Sequence, residues 1–375
     1  MRKTVASSLA PDSFMKDLSR RTLLASASLI AAPWVARAQG AADDRMIAQM
    51  LVLGFSGSSS AASGAQKVAQ HLVAGRIGGV CFLGHNTQNR AGIESLTRLF
   101  SSSARNGKAF IAVDQEGGAV QRLGARAGWS AIPAAQAIAA RNTPEQARSI
   151  YASMARELKA AGFNLNLAPV VDLGFEPKNP IVYKWGRAFG KDGATVAQYA
   201  GVFVEAHRSQ GVLTAHKHFP GHGSTHVDSH DRPVDLTPTW RADELVPFRD
   251  LARRGLIDTV MSGHLTHTRL TGGVPATLSP AAVRLLRQDI GFNGVIMTDD
   301  LDMKAIRSSF DLDDAIVRSV AAGHDLILLS NSLKPDDMLP QKAVAAVKSA
   351  VAAGRIPRGQ IEASAQRIAA LAARI

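Results

Sequence analysis

The strongest constraint on this chain is an alternation. Eight short apolar runs occur at Met50–Phe55, Ile77–Leu83, Phe110–Asp114, Phe163–Asp172, Val212–His218, Thr259–His264, Gly294–Thr298 and Asp325–Ser330. Segments of helical period lie between them: Gly64–Val73, Ile93–Ser103, Pro144–Ala161, Thr195–Ser209, Glu244–Arg254, Pro280–Asp289 and Leu312–Ala322, with a closing helix at Pro340–Ala352. Runs apolar on both faces suit strands buried on both sides, and parallel neighbours of that kind need a helical crossover. The expected fold is α/β, a single (β/α)8 TIM-type barrel with room for irregular strands. A doubly wound open sheet is the rival, but no Gly-rich phosphate fingerprint follows the first run.

Polar residues gather where the runs end: Asp114, Asp172, Lys217 with His218, His264 and Asp299. In a barrel those ends point to one face, where active sites form.

Lys and Arg total 43 against 31 Asp and Glu, a formal charge of +12 that invites a nucleic-acid reading. Part of that charge belongs to the N-terminus. Ser19-Arg-Arg-Thr-Leu-Leu24, an apolar stretch to Val35 and Ala36-Arg37-Ala38 have the pattern of a twin-arginine export signal. Its apolar part falls short of the roughly 20 residues a membrane span needs. Removal of residues 1–38, with six basic and two acidic side chains, leaves 337 residues at +8, residues 39–375, for one barrel. The expected protein is periplasmic, without stable membrane insertion after cleavage. The remaining charge is scattered over helical faces, and aromatics are 5%, with none of the basic-aromatic interleaving a base-stacking surface uses. No nucleic-acid partner is expected. The lone Cys81 excludes an intramolecular disulfide and suits buried packing.

Three segments carry candidate chemistry. In Val113-Asp-Gln-Glu-Gly-Gly-Ala-Val-Gln-Arg122 a carboxylate leaves a strand into a tight glycine turn, with Asp114 and Arg122 placed to reach a polyhydroxylated ligand. In Ala215–His230 five histidines, an Asp and a Lys fall within 15 residues, and Gly221–Ser229 reads as a mobile loop. Asp228 and His230 can face each other across a turn, where a carboxylate orients a histidine for general acid/base work. His216-x-His218 also has the spacing of a metal site, and all of these histidines could be incidental. In Gly294–Met303 an apolar strand runs into Asp299 and Asp300. Asp299, first off the strand, suits a nucleophile, whereas Asp300 or Asp302 suits an N-cap for the following helix.

Together these segments resemble glycoside hydrolase family 3, in its single-domain bacterial exo-β-N-acetylglucosaminidase (β-N-acetylhexosaminidase) branch. The resemblance rests on Asp-Gln-Glu-Gly-Gly (114–118), Asn-Leu-Ala-Pro-Val-Val-Asp (166–172), Gly-Arg-Ala-Phe-Gly (186–190), Lys-His-Phe-Pro-Gly-His-Gly (217–223), Asp-Ser-His (228–230) and Thr-Asp-Asp-Leu-Asp-Met (298–303), in order over most of residues 45–335. It implies a retaining hydrolase with Asp299 as nucleophile and His230, paired with Asp228, as acid/base. It also implies that Asp114, Arg122, Arg187, Lys217 and His218 hold the sugar. No metal or organic cofactor is implied, and the partner would be an N-acetylglucosamine-containing oligosaccharide met by a monomer. The field of Arg187 and Lys217 would help keep Asp299 ionised.

Two departures stand out. Ala119 replaces the arginine usual after Gly-Gly, and Pro180–Arg187, with Tyr183-Lys-Trp185, is longer than usual. The best-known members of the branch act in the cytoplasm on recycled peptidoglycan fragments, whereas this chain carries an export pattern. A family 3 β-glucosidase, a metal-dependent barrel hydrolase and an inactive sugar-binding protein are the alternatives. The glucosidases typically draw a glutamate acid from a second domain. A mature length of one barrel leads instead to an acid from the barrel's own loops.

Overall fold

The computed structural model describes residues 40–104, 108–229, 232–332 and 334–375, so the export pattern lies outside the described residues. Eight strands, β1 (Leu51–Leu53), β2 (Gly79–Phe82), β3 (Phe110–Val113), β4 (Leu165–Asn166), β5 (Leu213–Phe219), β6 (Thr259–Ser262), β7 (Val295–Thr298) and β8 (Ile327–Leu329), fall inside the eight apolar runs or overlap them. They pair in the order β7-β6-β5-β4-β3-β2-β1-β8. Every one of these pairings is parallel. The ring is joined between β7 and β8 by a parallel bridge of Met297 to Leu326 and by Leu326 N–H donating to Ile296 O at 3.2 Å. A ring in chain order is the (β/α)8 barrel, and the open-sheet rival is excluded.

All residues of the eight strands are buried. This is why the runs show no polar alternation: helices cover one face and barrel side chains fill the other. β4 is much shorter than its run. Pro169 has no N–H to donate, so regular pairing stops. The chain keeps alongside β5 by single bonds, Lys217 N–H to Pro169 O at 3.2 Å and Val171 N–H to Lys217 O at 2.8 Å.

The crossovers are α1 (Ser63–Val73), α2 (Arg90–Ser103), α3 (Pro144–Ala160), α4 (Gly193–Arg208), α5 (Val246–Arg253), α6 (Pro280–Arg284) and α7 (Leu312–Ala322), followed by α8 (Leu339–Ala352) and α9 (Arg358–Ala372). Local signals start them. Thr143 and Gln146 form a capping box with Pro144 in the first turn of α3, and Asp192 caps α4 through Thr195 N–H at 2.9 Å. An edge-to-face cluster, with Phe82 4.8–5.8 Å from Phe55, Phe100 and Phe163, packs β2 against its neighbours.

The face of the barrel where strands begin is tied by two buried acids. Asp258, before β6, meets Arg208 at 2.8 Å and Arg374 at 2.5 Å. Asp325, before β8, meets Arg287 at 2.8 Å and Arg367 at 2.9 Å, and accepts from Ile296 N–H and Ser364 Oγ. These bonds pin α9 and the residues just after it across the strand starts. Replacing Asp325 with Ala should therefore cost about 3 to 5 kcal/mol, because two cations lose their buried partner. Denaturant unfolding checks this, and a loss under about 1 kcal/mol would refute the clamp.

Candidate active site

At the opposite end, where strands finish, a cavity of about 510 Å³ opens. Its walls include Asp114, Arg122, Arg187, Lys217, His218, Asp228 and Asp299, so seven of the eight expected site residues share one pocket. The eighth, His230, lies outside the described residues.

Buried ion pairs organise the floor. Lys217 Nζ lies 2.7 Å from both Asp114 Oδ1 and Glu116 Oε1. Arg187 grips Glu116 in a two-pronged pair, Nε to Oε2 and Nη2 to Oε1, each 2.8 Å. Arg122 Nη2 stands 3.9 Å from Asp114 at the outer edge. Burial alone would raise the Glu116 pKa, but the Arg187 and Lys217 charges overcome it and hold the carboxyl well below its usual range. Burial likewise works against the Lys217 and Arg187 charges, and the facing carboxylates raise both pKa values. Gly117 and Gly118 turn the chain back at φ 99° and 61°, which brings Glu116 and Arg122 to one wall. Glu116 was not among the expected site residues. Its signal was present in Asp-Gln-Glu-Gly-Gly, but only the fold supplies its two cationic partners.

This pairing changes the expected field. Arg187 and Lys217 are neutralised by Glu116 and Asp114, so they are not two uncompensated positive charges acting on Asp299.

His218 is oriented by Asp172, also outside the expected site list. Asp172 Oδ2 lies 2.7 Å from His218 Nδ1, and Oδ1 accepts from the His218 and His222 N–H groups at 3.0 and 2.8 Å. Burial would raise the Asp172 pKa, but His218 lowers it. His216 is fully buried off the cavity, where burial holds its pKa at about 4. The two imidazoles of the expected metal spacing therefore do not converge. Alternate residues of a strand such as β5 carry their side chains to the same face only while the backbone is regular, and the β5–β6 register shifts between His216 and Phe219.

Asp299 leaves β7 into the cavity, its Oδ1 accepting the Asp300 N–H at 2.8 Å. Asp300 and Asp302 do not cap the next helix. That helix, Lys304–Arg307, has Met303 at its N-cap and no side-chain cap. The two carboxylates instead hold the segment after β8, Asp300 Oδ1 accepting Ser330 N–H at 2.8 Å and Asp302 Oδ2 accepting Ser332 N–H at 3.0 Å. Burial pushes the Asp300 pKa up to about 6.

The expected mobile loop is largely anchored. Gly221–Thr225 are buried, and Asn179 Nδ2 donates to His222 O at 2.8 Å and Gly223 O at 3.1 Å. A Cβ on Gly223 would sit 2.1 Å from Leu173 O, so this loop packs backbone on backbone. Glu244 closes the other side, its Oε2 accepting Leu173 and Gly223 N–H groups at 3.4 and 3.3 Å. Its Oε1 has no hydrogen-bond partner among the described residues. Burial, with the Asp172 charge, pushes its pKa up to about 8. Glycine and serine content suggested mobility, but small residues are also what close packing requires.

A family model described as the glycosyl hydrolase family 3 N terminal domain matches residues 43–371. The chain belongs to glycoside hydrolase family 3. Family 3 relatives include beta-hexosaminidase LpqI of Mycobacterium tuberculosis, 36% identical over 269 residues, 70% of this chain and 67% of that one. Beta-hexosaminidase A of Pseudoalteromonas piscicida is 32% identical over 320 residues, 79% of this chain and 53% of that one. Among solved structures, a family 3 beta-N-acetylglucosaminidase from Paenibacillus sp. str. FPU-7 aligns at TM-score 0.79 and 31% identity, over 88% of this chain and 62% of that one. M tuberculosis LpqI aligns at TM-score 0.75 and 31% identity, over 88% and 93%. Family 3 membership makes the chain a glycoside hydrolase acting on carbohydrate.

The Glu244 carboxyl yields a pH prediction. Its folded pKa of about 8 exceeds the unperturbed 4.5, so folding takes up a proton. The stability this contributes is complete below pH 4.5 and is lost as the pH rises through about 8. Glu244→Gln, permanently neutral, should gain on the wild type by about 2 kcal/mol between pH 6 and pH 9. Parallel unfolding curves for the two proteins across that range would reject a protonated Glu244.

Proposed function

We propose that the chain is a retaining, exo-acting β-N-acetylhexosaminidase that removes terminal β-linked N-acetylglucosamine. The observation that carries this reading is the shared cavity: Asp299 at the end of β7 lines the same walls as Asp228 and the Asp114–Lys217–His218 group. Relatives named beta-hexosaminidase and a solved beta-N-acetylglucosaminidase support the choice of sugar.

In the first step Asp299 attacks the anomeric carbon while His230 gives its proton to the leaving oxygen. A covalent glycosyl-enzyme forms as the glycosidic bond breaks. The Asp300 N–H fixes the rotation of the Asp299 carboxylate. In the second step neutral His230 takes a proton from water, whose oxygen attacks the same carbon and releases Asp299, so configuration is retained. Asp228 orients His230 and stabilises its charged form. Asp114, Arg122, Arg187, Lys217 and His218 bind the sugar hydroxyls and the N-acetyl group. Paired charges suit this task, since fixed dipolar groups orient a neutral polyol without the cost of an unpaired buried ion.

The reading is tested with aryl N-acetyl-β-glucosaminide against aryl β-glucoside. The N-acetylated substrate should be preferred, and Asp299→Ala should lose at least about a thousandfold in kcat. Full activity in the variant, or preference for the glucoside, would reject it. His230→Ala should slow a poor leaving group far more than an activated aryl one. Equal losses would remove His230 as the acid.

The enzyme works as a periplasmic monomer on N-acetylglucosamine-containing oligosaccharides, exported through its first 38 residues. No helix of the described residues is long and apolar enough to cross a membrane. Replacing Arg20 and Arg21 together with Lys should leave the precursor in the cytoplasmic fraction. Undiminished periplasmic activity would reject the twin-arginine route.

A further inference from the structure

The feature that sugar hydrolysis leaves unused is the side chain of Trp185. Four large hydrophobic side chains are exposed among the described residues, and Trp185 is the one aromatic, 50% exposed. It lines the catalytic cavity. The polar floor it overlooks is buried: Arg187 is 7% exposed and Lys217 3%. Trp185 therefore stands at the mouth, beyond the site of the terminal sugar.

Its segment is held firmly. Asn179 Oδ1 accepts the Ile181 and Val182 N–H groups at 3.0 and 2.7 Å, and Lys184 N–H donates to Asn179 O at 3.1 Å. Gly186, at φ 61°, reverses the chain, and its carbonyl accepts Gln136 N–H at 3.0 Å. Lys184 Nζ lies over the indole, 5.1 Å from the ring centroid, and Lys184 is not part of the cavity wall. One face of the ring is thus occupied from outside while the residue presents itself to the cavity. A rigid, half-exposed indole beside a polar pocket offers apolar surface at small ordering cost. The C–H face of a pyranose matches that surface, whereas a short alkyl group does not cover it.

We propose that Trp185 is the stacking platform of a leaving-group subsite, which makes the preferred substrate an oligosaccharide with a second pyranose ring at the cavity mouth. The proposal rests on the glycosidase reading above but not on the identity of the terminal sugar.

The test compares kcat/KM for the β-1,4-linked N-acetylglucosamine disaccharide with that for methyl N-acetyl-β-glucosaminide, in wild type, Trp185→Ala and Trp185→Phe. In the Ala variant the disaccharide-to-methyl ratio should fall about tenfold, and Phe should restore most of it. An unchanged ratio, whether both substrates slow equally or neither slows, would overturn the platform. If the wild type accepts glucose in place of N-acetylglucosamine, the sugar assignment fails. The same ratio is then read on cellobiose against methyl β-glucoside, with the same fall expected.

Discussion

The site depends on one ionic group: half-buried Asp114 and buried Glu116 facing Lys217 and Arg187. Its members come from the residue after β3, the short strand Gln115–Gly117, β5 and the segment before α4, so these ion pairs tie four parts of the chain together. Two acids and two bases make it neutral overall, and Arg187 and Lys217 are nearly shielded from water. Taking Glu116, Arg187 and Lys217 out of solvent is costly, and only close geometry with several hydrogen bonds offsets that cost. The two-pronged Arg187–Glu116 pair and the forked Lys217 contact meet that requirement. Lys217 is shared between Asp114 and Glu116, and Glu116 between Lys217 and Arg187, so loss of one member alters the contacts of the others, and position and charge in this site are coupled.

The two ends of the barrel use charge differently. At the strand ends, ionic groups border an open cavity and keep polar atoms near a ligand. At the strand starts, Asp258 and Asp325 are enclosed by arginines and hold helices. Between them, buried histidines behave as neutral packing groups. His207 and His324, like His216, have pKa values of about 4 because burial disfavours their charged forms. Histidine content alone is thus a poor guide to chemistry here, since three of these rings serve the interior.

The barrel was legible because strands buried on both faces leave an unbroken apolar run, and because polar residues recur where those runs stop. The pocket was legible for the same reason: Asp114, Lys217 and Asp299 each come immediately off a strand or at its end. Pair identity was less accessible. Glu116 and Asp172 stand in plain motifs, but their partners are 71 and 46 residues away. Glu244 is the first residue of an expected helix, and nothing in its neighbourhood along the chain announces a neutral carboxyl under the 221–225 loop. Asn179 is equally silent in the sequence, although its one amide joins the Trp185 segment to that loop. The shortened β4 follows from Pro169, whose effect depends on which neighbour needs its missing N–H.

Two arginines, one on α9 and one just after it, couple that segment to the ring. Asp325 and Asp258 are fully enclosed only with Arg367, on α9, and Arg374, just after it, in place. Without them two barrel strands begin at carboxylates lacking one of their cations. Detachment of α9 and the residues after it would be felt at the starts of β6 and β8, so that segment and the ring stand or fall in stability together.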